Sequence, residues 1–326
     1  MSKPCASASL AAVCVLTIAS FAGGPASACS VCLPGDPHFS NTGASATEQG
    51  SFSLYLETRG YSKRSGGLPH EEDGVEHETD EESRGNRLDL YASWTPLDRF
   101  TFTLDVPVVW THIEHFHHEE RTRSTLSGLG DIALATSAVL WRDRPVLPSR
   151  WLEARVWLKA PTGRDDTKVD GERDPHLQPG TGSWDVGVGL AGVQRLDWGS
   201  LYGSVFRRWN NDGSLDYEYG DVWLASLGAE TPLGHLLGRP GLDSLVAGFG
   251  LDFRYAGYDE HEGERYDDSG GAILYAAPSL RVKLPCGVSE QPASLRFAVQ
   301  LPLGQTWLHN EQYEKAVWSV GILAPF

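Results

Sequence analysis

The chain has 326 residues and a formal net charge of −16, an acidic balance that excludes a nucleic-acid partner, which needs a basic face. Beyond its N-terminal segment no apolar run approaches the roughly 20 residues of a membrane helix, so any membrane crossing must be made by strands. Composition fits strands: Tyr and Trp stand at 11 each and Gly at 36, with charges spread along the chain instead of gathered in one tail.

The chain begins Met1-Ser2-Lys3, continues through an apolar stretch from Leu10 to Phe21, and reaches Ala26-Ser27-Ala28. A charged start, a short apolar core and an Ala-x-Ala ending predict a secretory signal peptide over 1–28. Cleavage there leaves Cys29 as the mature N-terminus and opens lipid attachment as a second reading. Against lipidation, Ala26 stands where a lipobox carries Leu, Val or Ile. Residues 29–50 form a periplasmic tail containing Cys29-Ser30-Val31-Cys32. Leu33 follows the second cysteine where haem attachment needs His, and no βαβ pattern surrounds the pair as a redox motif would require. A disulfide, favoured in an oxidising compartment, or half of a metal site remains.

From 51 to 326 apolar residues recur at every second position, with small or polar residues between them. The clearest run is Phe100, Phe102, Leu104, Val106, Val108 and Trp110, interleaved with Thr101, Thr103 and Asp105. The alternation predicts twelve strands, near 51–61, 86–95, 100–111, 129–141, 151–160, 184–196, 200–209, 220–231, 244–257, 271–284, 294–305 and 315–326. Each matches or slightly exceeds the roughly 9–11 residues of a tilted membrane strand. Connections after odd-numbered strands are polar and often long (62–85, 112–128, 161–183, 210–219, 258–270, 306–314), whereas those after even-numbered strands are mostly shorter and rich in Pro, Gly or Asp. Long loops on one side and short turns on the other predict an all-β, antiparallel up-and-down barrel in the cell outer membrane, with both termini periplasmic. The last residue, Phe326, closes the alternation of Trp318, Val320, Ile322 and Ala324. Such an aromatic end is what the barrel-assembly machinery reads, and lipid and lipopolysaccharide are the other expected partners.

Alternation places Glu57, Arg59, Arg87, Asp89, Asp105, Asp131, Glu153, Arg155, Lys159, Asp185, Arg195, Asp252, Arg254, Arg281, Lys283 and Arg296 on the inward face. A lumen of mixed charge is either a hydrated pore or a set of ion-paired plugs, because a bare charge facing low dielectric costs too much. The first long loop holds His70 and His77 among many acids, and the second holds His112, His115, His117 and His118. Imidazole beside carboxylate suits zinc, copper or nickel. The same loops also read as a solvated acidic surface, or one bridged to lipopolysaccharide through calcium or magnesium. Cys286 lies in a turn on the periplasmic side, the side of Cys29 and Cys32. A disulfide from Cys286 to either tail cysteine, or a three-thiolate metal site that His38 completes, are the two readings.

Three stretches carry a resemblance: Ser127-Gly128-Leu129-Gly130-Asp131-Ile132, Leu158-Lys159-Ala160-Pro161-Thr162-Gly163, and Pro179-Gly180-Thr181-Gly182-Ser183-Trp184-Asp185. In order and spacing they resemble the outer-membrane transporter-like β-barrels named for pathways of phenol and other aromatic degradation. The likeness is strong over the middle third and elsewhere rests on strand rhythm. It implies passage of small, often hydrophobic molecules, and it does not extend to the acidic, His-bearing loops.

Ser124, Ser127 and His118 lie near one another in sequence, but no orienting third group and no nucleophile signature accompanies them, so no enzyme is expected. The expectation is a channel for passive passage of small solutes. The alternative is a metal-binding surface protein that uses the barrel as its anchor.

Overall fold

The computed structural model describes residues 49–65, 70–72, 75–77, 81–117, 120–169, 174–267, 269–285, 292–308 and 313–326. They form a closed antiparallel barrel of twelve strands. In chain order these are β1 (Phe52–Ser65), β2 (Glu81–Leu97), β3 (Phe100–His117), β4 in two parts (Glu120–Leu129 and Ala133–Arg142) and β5 (Arg150–Lys159). There follow β6 (Asp185–Leu196), β7 (Gly199–Trp209), β8 (Val222–Pro232), β9 (Leu245–Ala256), β10 (Gly271–Lys283), β11 (Ser294–Leu308) and β12 (Val317–Pro325). Each strand pairs with its sequence neighbours, and β12 closes on β1 with Ser53 opposite Pro325 and Gly60 opposite Trp318. Phe52 and Phe326 meet at the seam, where the Phe326 N–H donates to the Phe52 carbonyl at 2.8 Å and the rings lie 5.8 Å apart.

The two faces of the wall differ as the alternation requires. Trp94, Phe102, Trp110, Leu134, Val188, Trp223, Leu227, Phe249 and Leu301 stand exposed on the outside. The side chains between them point inward and are buried or half-buried. Several inward rings lie over a glycine of the next strand: Tyr55 over Gly321, Tyr61 over Gly85, Phe206 over Gly187 and Tyr202 over Gly228. Any Cβ at those glycines would collide with the ring, so glycine here makes room for an aromatic filler. Phe206 and Trp157 anchor one internal cluster with Ala133 and Ala135; Tyr275, Ile273, Val222 and Tyr61 anchor another.

The wall is uneven in height, and this corrects the expected loops. The stretch 112–128 is a hairpin, with β3 and the first part of β4 paired through His117 opposite Glu120. Likewise β1 runs to Ser65 and β2 begins at Glu81, so 62–85 is largely strand, and a small hairpin pairs His70–Glu72 with Val75–His77. The alternating signature stops where His112, Glu114, Arg84 and Glu82 replace the outward apolar residues, but the hydrogen-bonded ladder needs no apolar face and continues. Expected strand 129–141 is interrupted at 130–132. There three residues of β4 face two of β3, since Leu129 pairs with Val108 and Ala133 with Asp105. Pro107 sits at this point and has no N–H to give the ladder; its carbonyl still accepts the Gly130 N–H at 2.9 Å.

The expected 258–270 loop contains a hairpin, Asp259–His261 with Glu264–Tyr266, whose turn residues Glu262 and Gly263 have φ of 54° and 76°. Positive φ at both positions is what a two-residue type I′ turn demands. At the opposite end a short helix, Leu233–Leu237, occupies the connection between β8 and β9.

Candidate functional site

The sequence-predicted inward residues fall into networks on the inner wall. On β1 to β3, Arg59 bridges Glu57 at 2.9 Å and Asp89 at 3.5 Å, while Arg87 pairs with Asp89 and reaches Asp105 at 3.4 Å. The Tyr55 hydroxyl donates to Glu57 at 3.1 Å, Arg59 donates to the Tyr91 oxygen at 2.9 Å, and the two phenol rings stack. Glu57 and Asp89 are fully buried. Two guanidiniums thus hold three carboxylates in one strip, the arrangement that makes buried charge tolerable. Glu153 and Arg155 form a separate pair at 2.9 Å, and Arg155 also donates to Ser137. Arg281 pairs with Glu230, Arg254 lies 3.7 Å from Glu314, and Arg195 lies over the Trp151 ring.

Arg59, Tyr202, Asp252, Arg296, Gln300 and Ser319 line a small cavity that is partly open to solvent. Gln300 donates to Asp252 at 2.8 Å. Arg296 is 8% exposed, and its Nε and Nη1 make no hydrogen bond to any described protein atom. Since a buried polar group without a partner is costly, a guanidinium facing this space favours an anion or water beside it.

A third assembly brings together the three stretches that carried the family resemblance. Lys159, at the upper end of β5, lies between Asp131 at 3.0 Å and Asp185 at 2.6 Å. The Asp131 carboxylate also accepts the Gly163 N–H (2.9 Å), the Thr181 N–H (2.8 Å) and the Thr181 hydroxyl (2.9 Å). Asp185 accepts from the Ser183 hydroxyl at 2.8 Å and the Asn211 N–H at 3.2 Å. Gly163 packs against the backbone of Gly130, Gly180 and Asp131, and an added Cβ would come within 2.9 Å of all three. The glycines let three chain segments meet, and the aspartate ties them where β4 breaks. From there 174–183 packs along the first part of β4: Leu177, Gln178 and Pro179 are buried, and Pro179 lies against Gly128. The Tyr219 hydroxyl donates to the Pro175 carbonyl, and His176 packs edge-on to Tyr217 and Tyr219. Nearby, burial and the neighbouring acids Asp212 and Glu260 push the Glu218 carboxyl above its ordinary value.

Of the candidate metal ligands, only the His112 side chain is described. His112 is on the β3 wall, bonded through Nδ1 to Thr125 and 3.7 Å from Glu114. The backbones of His70 and His77 pair with each other, and His115 and His117 pair with Thr122 and Glu120; nothing is described of their side chains. His118, Cys29, Cys32 and Cys286 lie outside the described residues. Among the described residues no group of three or more His, Cys, Asp or Glu side chains has metal-holding geometry. Reading for charge alone missed Tyr55, Tyr91, Tyr202 and Ser319. All share the inward phase of their strands, so the alternation would have found them.

By sequence, neither any protein family nor any curated protein matches the chain. By structure, it superposes on an outer-membrane channel from Pseudomonas putida F1 with a TM-score of 0.61 at 17% identity, covering 90% of this chain and 100% of that one. The two proteins share one barrel fold. A FadL homologue from Pseudomonas aeruginosa (TM-score 0.43, 8% identity, 84% of this chain and 90% of that one) lies further off. So does the toluene transporter TodX of Pseudomonas putida (0.41, 10%, 86% and 89%).

Proposed function

We propose that this protein is a passive outer-membrane channel for small solutes, with the barrel interior as its path. The observation that carries the reading is a closed barrel, apolar outside and lined inside by ion pairs between aromatic clusters, that leaves the Arg296 guanidinium facing an internal cavity. An apolar exterior of exposed Trp, Phe and Leu suits lipid, and only a closed barrel or a helix satisfies its backbone there. The shared fold with an outer-membrane channel supports the same placement. In this reading the short turns and the Phe52–Phe326 seam face the periplasm, and the tall β1 to β4 wall faces outward.

The Glu57–Arg59–Asp89–Arg87–Asp105 strip narrows the bore as a fixed plug of ion pairs, so selection is by size and charge at the remaining space. Arg296 favours solutes bearing a carboxylate or another small anion. Proteoliposomes test this by swelling in isotonic solutes. Small carboxylates should enter faster than sugars of equal size, and Arg296→Gln should narrow that difference. No swelling above protein-free liposomes, with the barrel verified as folded and inserted, would refute the channel.

A further inference from the structure

On the tall side of the barrel the outward phase of β1 to β4 does not end at the apolar belt. In β2 it passes from Trp94 and Leu90, both exposed, through Asn86 to Arg84 and Glu82. The register carries that row sideways: Arg64 stands opposite Glu82, Glu82 opposite Glu114, and Glu114 opposite Arg123. Just below, Asn86 is opposite Trp110, and Gly60 is opposite Trp318. Both indoles are exposed. At about 3.4 Å per residue, Arg84 begins only about 7 Å along the strand above that aromatic row.

Four cations cover two carboxylates in this row. Glu82 holds Lys315 at 2.9 Å and Arg64 and Arg84 at 3.2 Å each, and Glu114 holds Arg123 at 2.8 Å. The carboxylate side chains are 7% and 3% exposed, whereas the cations are 33% (Arg64), 34% (Arg84), 58% (Arg123) and 40% (Lys315). The acids are therefore sunk against the wall as braces, and what faces outward is positive. That is unusual on a chain whose net charge is −16. Exposed Trp marks the level of lipid headgroups, and guanidiniums match phosphate oxygens in geometry and are weakly hydrated.

We propose that this face binds the phosphates of a phosphorylated glycolipid of the outer leaflet, the lipid A portion of lipopolysaccharide. Its acyl chains lie against Trp110, Val108 and Val106, and its phosphates meet Arg64, Arg84, Arg123 and Lys315. The inference rests on the membrane placement and outward orientation proposed above.

The test is native mass spectrometry and a binding titration on the full chain in detergent, with diphosphoryl lipid A, monophosphoryl lipid A, phosphatidylglycerol and inorganic phosphate as probes. Diphosphoryl lipid A should bind best, and phosphatidylglycerol and inorganic phosphate should not displace it. Combining Arg64→Gln, Arg84→Gln, Arg123→Gln and Lys315→Gln should weaken it by more than about tenfold. That variant strands two buried carboxylates, so a second one adding Glu82→Gln and Glu114→Gln removes acids and bases together and should lose binding equally. Undiminished binding in the folded second variant, or equal binding of phosphatidylglycerol, would overturn the proposal. Vesicle insertion is scored separately: a protein that fails to insert refutes the membrane reading, whereas one that inserts without lipid A preference refutes this inference alone.

Discussion

Replacing Lys159 with Met keeps most of the side chain's volume and deletes the cation that sits between Asp131 and Asp185. The side chains involved are 10%, 4% and 5% exposed, so solvent offers the stranded carboxylates little relief. Removing one partner of a buried pair costs about 3–5 kcal/mol, because the other charge is left uncompensated. Here the three donors on Asp131 and the two on Asp185 remain, which places the expected loss near the lower end, about 3 kcal/mol. The assay is urea-dependent folding into vesicles, read by the mobility difference between boiled and unboiled barrel. Adding Asp185→Asn removes one of the two facing charges and should recover part of the loss, a coupling that a double-mutant cycle measures directly. A loss under about 1 kcal/mol, the range of an exposed pair, would refute the idea that this lysine fastens the broken strand.

Phe206→Ala empties the space above Gly187 and should cost about 3–5 kcal/mol in the same assay. Leu227, outward and exposed in β8, should cost about 2–4 kcal/mol when changed to Arg in a lipid-embedded barrel, whereas Leu237→Arg, in the short helix outside the belt, should be near neutral. Asp143, in the turn after β4, accepts from the Ser149 hydroxyl and the Ser149 and Arg150 N–H groups, and these hold its carboxyl down at about 2. A depressed carboxyl stabilises fully above its unfolded value of about 3.9 and loses that contribution as pH falls through the folded one. Protection of the Ser149 and Arg150 amides, taken relative to the intrinsic exchange rate at each pH, should therefore hold at pH 4 and fall toward pH 2, and Asp143→Asn should remove that change in protection.

The barrel was legible because a barrel strand with an apolar outside and a polar or ion-paired inside must alternate, and the alternation matched eight of the twelve strands closely, from Arg150–Lys159 to Val317–Pro325. The tall hairpins were not legible. Above the belt the outward positions of β2 and β3 turn charged, so Arg84, Glu82, His112 and Glu114 read as loop although their backbones stay paired. The Asp131–Lys159–Asp185 assembly was half legible. Alternation put all three residues on the inward face and the family stretches contained them, but that they meet depends on 160–183 folding back over Gly130 and Gly163, which no periodicity encodes. The inward tyrosines were passed over because an aromatic side chain on a strand reads equally well as a lipid-facing one.

The most direct test of the channel is current through the purified barrel in a planar bilayer under a salt gradient. The account predicts discrete steps, a reversal potential displaced toward anions, and a smaller displacement in Arg296→Gln with step size retained. A folded, inserted barrel that passes no current above the bare bilayer would contradict it.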